Sequence, residues 1–173
     1  DITNYVLFTT GQPLHAFDLD KIRGGEIVVR FARDGERIIT IDGESRELSG
    51  DILVIADSVK PVAIAGIMGG KESEVVSFTR NILLESAYFS PVVVRRGSRA
   101  AALASDSSYR FERSVAKGGI INSSNLAMSL ILEIAGGHAG KLYKIGESAV
   151  QRKVFKFNTR AANAQLGLNL PVR

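Results

Sequence analysis

The stretch Ala63–Phe89, AIAGIMGGKESEVVSFTRNILLESAYF, decides how this chain is read. Gly66, Gly69 and Gly70 punctuate its first part around Met68, so the backbone amides there are free to approach a ligand or to take positive φ. Nineteen positions after Gly66 comes Glu85, set in Asn81–Phe89 (NILLESAYF), which reads as a mostly buried strand. A carboxylate in such a strand lies at an edge in water, or is paired, or awaits a ligand that donates a hydrogen bond to it.

Upstream, Asp1–Thr10 (DITNYVLFTT) spaces Ile2, Tyr5 and Val6 as a short helix that Gly11 stops, with no evident starting cap. A turn and a short extended piece follow over Gly11–Asp18, and Asp18–Ile22 suits one helical turn. His15 falls in the extended piece. A lone histidine among apolar neighbours is more often a satisfied core residue than a catalyst.

From Glu26 the period changes to two. Glu26–Ala32, Arg37–Ile41, Glu44–Leu48 and Ile52–Ala56 read as short strands, all but the polar third rich in β-branched residues, and Asp34-Gly35 and Asp42-Gly43 separate the first three, predicting an antiparallel meander. Val62–Ile67 adds a strand that runs into the glycine loop. Downstream, Ser90-Pro91 has the form of a helix start, predicting a helix to about Ala102. That helix carries Arg95, Arg96 and Arg99, which suit either phosphate contacts or a solvated face. The alternation over Ser108–Arg113 predicts a strand or extended arm. A longer helix is expected over Gly118–Ala135, with Ile121, Met128, Ile131, Leu132 and Ala135 as a core stripe. Leu142–Ile145 and Lys153–Phe157 read as strands, and Thr159–Leu168 as a helix start.

Composition bounds the function. The 173 residues are 45% hydrophobic and 23% charged, ordinary for a soluble globular protein, and long enough for one domain with a full core or one domain plus part of another. No cysteine is present, which excludes disulfides and thiolate metal sites, and two histidines are too few for a convincing transition-metal centre, so no metal is expected. No apolar run reaches the roughly 20 residues that span a bilayer. The expected location is therefore cytoplasmic. A net charge of +4 (22 Lys+Arg against 18 Asp+Glu) permits a polyanionic partner without demanding one. The sequence has no G-x-S-x-G, G-x-x-x-x-G-K-[ST], H-E-x-x-H or G-x-G-x-x-G, which leaves a serine-hydrolase elbow, P-loop, zincin or dinucleotide fold unsupported.

Three stretches together carry a resemblance. Thr3-Asn4-Tyr5-Val6 with Gly11–Asp18 (GQPLHAFD), Ala65–Gly70 (AGIMGG) with Leu84–Phe89 (LESAYF), and Ser108–Arg113 (SYRFER) closely resemble the B3/B4 editing module of the bacterial phenylalanyl-tRNA synthetase beta subunit. The match runs in order along nearly the whole chain. It implies an α+β fold, a three-layer B3/B4-type domain containing a β-sandwich of unusual topology. It also implies that residues 1–150 form the editing domain and residues 151–173 open the following B5 module. The start at Asp1 without Met, and the stop inside a helical pattern, fit an excised piece of a longer polypeptide.

In function, the resemblance implies hydrolysis of tyrosine wrongly esterified to tRNA(Phe). The parent enzyme would be an (αβ)2 synthetase whose alpha subunit attaches phenylalanine using ATP and Mg2+, with no cofactor in this fragment. Tyrosine exceeds phenylalanine by one hydroxyl, which an apolar synthetic pocket rejects only by about a hundredfold, so a second site must select for it. By the resemblance, Glu85 accepts the phenol O–H and Gly66 meets the same oxygen. Thr3, Asn4 and His15 line the reacting end, and Met68, Ser105 and Ser107 line the pocket. The family pattern Leu-Arg-Thr-Asp/Glu-Ala-Ser reads here Leu103-Ala104-Ser105-Asp106-Ser107-Ser108, and the following Gly-Val-Asp-Pro reads Ser114-Val115-Ala116-Lys117. These departures raise an alternative, a non-catalytic scaffold for assembly and for guiding tRNA.

Overall fold

A computed structural model describes residues 1–146 and 154–171. The chain is an α+β domain whose strands fall into three antiparallel sheets, packed on one hydrophobic core. Helix α1 (Ile2–Thr10) begins at Asp1, whose carboxylate accepts the Asn4 N–H at 2.8 Å, so the helix is capped after all. Gly11 closes it at φ 74°, a left-handed stop. Strand β1 (Leu14–Asp18) follows and pairs with the distant β8 (Ile82–Ser86) in a sheet of two.

Strands β2 (Val28–Phe31), β5 (Leu53–Ala56), β6 (Pro61–Ile64) and β7 (Met68–Gly69) form the second sheet, in that order. The third is the hairpin of β3 (Arg37–Ile39) and β4 (Ser45–Glu47), inserted between β2 and β5. The expected meander is thus corrected. Asp34-Gly35 does turn, with Gly35 at φ 81°, but β2 takes β5 as its partner and β3 takes β4. Ala32 N–H donates to the Ile52 carbonyl and Leu48 N–H to that of Glu36, which closes the hairpin off as its own unit.

Helix α2 (Pro91–Ala100) buries Val94, Gly97 and Ser98, and a Cβ on Gly97 would already touch Ile67 at 3.3 Å, so the helix packs closely on the glycine loop. The expected strand over Ser108–Arg113 is instead helix α3 (Asp106–Phe111). Its start is a reciprocal cap: Ser108 N–H donates to Ser105 Oγ at 3.1 Å, and Ser105 N–H to Ser108 Oγ at 2.9 Å. Helix α4 (Ile120–Ala135) turns its small residues Ser123 and Ala127 inward, against α1 and β8. The core stripe expected on it is therefore displaced: Ile121 and Met128 are 39% and 37% exposed. Neither Leu142–Ile145 nor Val154–Phe157 forms a strand; both are exposed, with no ladder partner among the described residues. Lys153 of the latter expectation lies outside the described residues. Helix α5 (Thr159–Leu166) matches the helical tail.

Candidate functional site

Register places the two residues singled out from sequence. In the β1–β8 ladder His15 stands directly opposite Glu85 and Phe17 opposite Leu83, so these four side chains share one face. The other face carries Ala16 and Leu84, and Ser86 there donates to the Ile120 carbonyl at 2.8 Å, docking it on α4. Buried Gln12 fixes the entry to β1 by donating to the carbonyls of Ala87, at 2.8 Å, and Pro13, at 3.1 Å. A shift of one residue would turn His15 and Glu85 away together.

The polar face looks onto the glycine loop. A Cβ on Gly69 would lie 2.5 Å from His15 Nε2, so the imidazole rests on bare backbone. Gly66 adopts φ 69° and its missing side chain leaves room for Phe89, Phe111 and Val94. Between these elements lies a cavity of about 40 Å³ lined by His15, Glu85, Gly66, Met68, Ser107 and Phe111, among others. Ser105 lies just behind it, where its Oγ donates to the Ile67 carbonyl at 2.6 Å and so ties the start of α3 to the loop.

The electrostatics are unusual for so small a space. His15 Nε2 is buried without a hydrogen-bond partner among the described residues, and burial lowers the imidazole pKa from 6.5 to about 4. Its ring meets Phe17 edge-on, with centroids 4.5 Å apart. Glu85 is half-buried as a residue, and desolvation of its carboxyl group raises its pKa from 4.5 to about 7. At neutral pH the histidine is uncharged and the carboxyl group stands near mid-titration. Two adjoining groups shifted in opposite directions, one with a buried ring nitrogen that has no partner among the described residues, form an arrangement in which a polar ligand gains.

Other sequence candidates fall elsewhere. Thr3 Oγ1 donates to Asp1 Oδ1 at 3.0 Å and Asn4 is exposed on α1; neither lines the cavity. Arg95, Arg96 and Arg99 are exposed on α2, and Arg95 donates to the Glu112 carbonyl at 3.1 Å. A larger groove of about 520 Å³ lies by Lys21, Arg23, Arg37 and Lys60. Lys21 pairs there with Asp18, Lys60 with Glu72 and Arg37 with Glu47, so most of its charge is already answered within the chain. Phe111 is a site residue that sequence reasoning missed, since only the helical form of α3 brings it to the cavity; Gly69, noted in the sequence as part of the glycine loop, proves to be where His15 rests. No group of three or more possible metal ligands occurs among the described residues, and no helix there is long and apolar enough to cross a membrane.

The B3/4 domain family model matches residues 1–136, and the chain belongs to that family. Its relatives include the "Phenylalanine--tRNA ligase beta subunit" of Aquifex aeolicus, 56% identical over 137 residues, which is 79% of this chain and 18% of that protein. The proteins of the same name from Halalkalibacterium halodurans and Carboxydothermus hydrogenoformans are each 45% identical, over 98% and 100% of this chain and 21% and 22% of their own lengths. The chain thus spans about a fifth of the curated relatives it matches.

Proposed function

We propose that this domain is the editing module of a phenylalanine–tRNA ligase beta subunit, hydrolysing tyrosine wrongly esterified to tRNA(Phe). Residues 1–150 would form the module and residues 151–173 the start of the next, in an (αβ)2 enzyme that charges tRNA(Phe) with phenylalanine using ATP and Mg2+. The observation that carries the reading is the cross-strand pair of His15 and Glu85, both shifted by desolvation and the His15 Nε2 without a partner among the described residues, on a glycine-lined cavity.

A phenol O–H donated to the ionised Glu85 carboxylate makes a charge-assisted hydrogen bond, with a Gly66 backbone amide donating to the same oxygen. Phenylalanine offers no hydroxyl and leaves the buried acceptor unpaired, a difference of about 1–3 kcal/mol. At the other end, neutral His15 orients water or the terminal ribose, and Asn4 and Thr3 border the approach. An aminoacyl ester is already activated, so positioning supplies much of the rate and no separate nucleophile is needed. A cavity of about 40 Å³ must widen to take an aromatic ring, since benzene occupies engineered cavities of about 150 Å³. Met68, unbranched and half-buried, is the side chain best able to move aside.

The small volume of the cavity favours the second reading, a scaffold that has lost hydrolysis while keeping the fold. Deacylation of preformed Tyr-tRNA(Phe) by the full-length protein, with Phe-tRNA(Phe) as control, separates the two. Selective loss of the tyrosyl ester supports editing. Survival of that ester for as long as in buffer leaves the scaffold.

A further inference from the structure

The larger groove, of about 520 Å³, has a strand edge for one wall. Strand β3 pairs with β4 alone. Leu48 N–H donates to the Glu36 carbonyl at 2.7 Å and Thr40 N–H to that of Glu44 at 3.0 Å, so Glu36, Ile38 and Thr40 turn their backbone groups toward β4. Arg37 and Ile39 turn theirs the other way, along the groove. Two positions beyond Ile39 that outward side is in use: Ile41 N–H donates to the Gly69 carbonyl at 3.1 Å, and Thr40 stands opposite Gly70 in an antiparallel bridge.

The ladder that Gly69 and Gly70 begin along β3 then breaks off. Lys71–Ser73 coil into a 3-10 turn, in which Glu74 N–H takes the Lys71 carbonyl at 3.3 Å and Ser73 Oγ donates to the Val62 and Gly70 carbonyls at 3.0 and 3.3 Å. These bonds hold the chain off β3 and leave the Ile39 N–H and both backbone groups of Arg37 without a hydrogen-bond partner among the described residues. Buried Ile38 and Val62 line the gap. An open edge accepts another strand, and this one borders a groove in the volume range of ligand sites. Charge narrows the choice of strand. Lys21, Arg37 and Lys60 are paired with carboxylates, whereas the exposed Arg23 guanidinium meets none among the described residues. Its backbone is anchored, Arg23 N–H donating to Asp57 Oδ2 at 3.1 Å. One unanswered cation suits one acidic side chain; a nucleic acid would need a row of them.

We propose that the groove takes an extended acidic peptide segment as an added strand, antiparallel to β3, bonded to Arg37 and Ile39 and with a carboxylate against Arg23. This does not rest on the editing reading. The test is fluorescence anisotropy of the full-length protein with a labelled octapeptide of alternating threonine and glutamate. Binding is expected, and several-fold weaker binding when lysine replaces glutamate. Ile39→Pro removes the outward N–H at an edge position that tolerates proline, and is expected to weaken binding about tenfold with the melting temperature held, whereas Ile39→Val retains it. Arg23→Ala is expected to weaken binding about threefold. No binding of the threonine–glutamate peptide, equal binding of the lysine peptide, or full affinity in a folded Ile39→Pro protein overturns the added strand. Displacement of the peptide by an equal concentration of inorganic pyrophosphate also overturns it and marks a simple anion site. Should Ile39→Pro not fold, the same octapeptide N-methylated at every residue decides: it keeps the charge without the N–H donors, so loss of binding supports the added strand and undiminished binding contradicts it. Tyrosyl-ester hydrolysis in the same preparations tests the editing reading separately, since neither Arg23 nor Ile39 lines the smaller cavity.

Discussion

At Gly69 the main chain passes so close to His15 that no side chain fits between them. Gly69→Ala is expected to displace the imidazole, costing about 1–3 kcal/mol of stability and most of the hydrolysis, as read by urea unfolding and deacylation. The two shifted groups give a second prediction. Glu85 holds its proton to about pH 7 when folded against an ordinary 4.5, so its contribution to stability falls as pH rises from 4.5 to 7. His15 titrates at about 4 when folded against 6.5, so its contribution is complete above 6.5 and is lost as pH falls toward 4. Over the shared window the two slopes oppose each other. Glu85→Gln therefore makes stability climb with pH between 4.5 and 6.5 relative to the unmodified protein, and His15→Gln makes it decline, in urea midpoints taken across that range. Parallel curves for all three would contradict the assigned shifts. The sequence singled out both residues as polar groups in apolar runs; that they face each other depends on a pairing between segments about 70 positions apart, which no local pattern encodes.

Among the elements, α3 matters most to the site because its cap is also its anchor. Ser105 caps the helix and bonds to the glycine loop through one hydroxyl. Ser105→Ala is expected to lose about 1–2 kcal/mol, a fall of roughly 2–4 °C in melting temperature per kcal/mol for a chain of this size. Ser105→Thr, which keeps the hydroxyl, should melt close to the unmodified protein. This element was misread from sequence for a physical reason: Ser-x-x-Ser lacks the Glu or Gln that marks a capping box, while Tyr109, Phe111 and the charges between them mimic a period of two. Similarly, α4 was legible as a helix but not in orientation. Its apolar stripe suggested the buried side, whereas the close approach of α1 and β8 selects the face of Ser123 and Ala127, with Ser123 Oγ 3.1 Å from Thr10 Oγ1. The Asp-Gly turns were read correctly as turns. Which strands they leave side by side was not, since β2 meets β5 only after the inserted hairpin.

For the whole molecule, the core is built from residues between Val6 and Ala127, and the described residues beyond Gly136 are almost wholly exposed. A chain ending at Gly136 is accordingly expected to melt at the same temperature as the full 173 residues, by calorimetry. A substantial drop would show that the tail braces the domain. The central claim is that Glu85 in this core selects a hydroxyl, and its most direct measurement is the ratio of tyrosyl to phenylalanyl deacylation by the full-length protein as a function of pH. Taking the ratio cancels the rise of ester hydrolysis itself with pH. An ionised Glu85 accepting the phenol O–H predicts a ratio that climbs through about pH 7 and a Glu85→Gln protein whose ratio is low and level. A ratio independent of pH, or one that persists in Glu85→Gln, would contradict it.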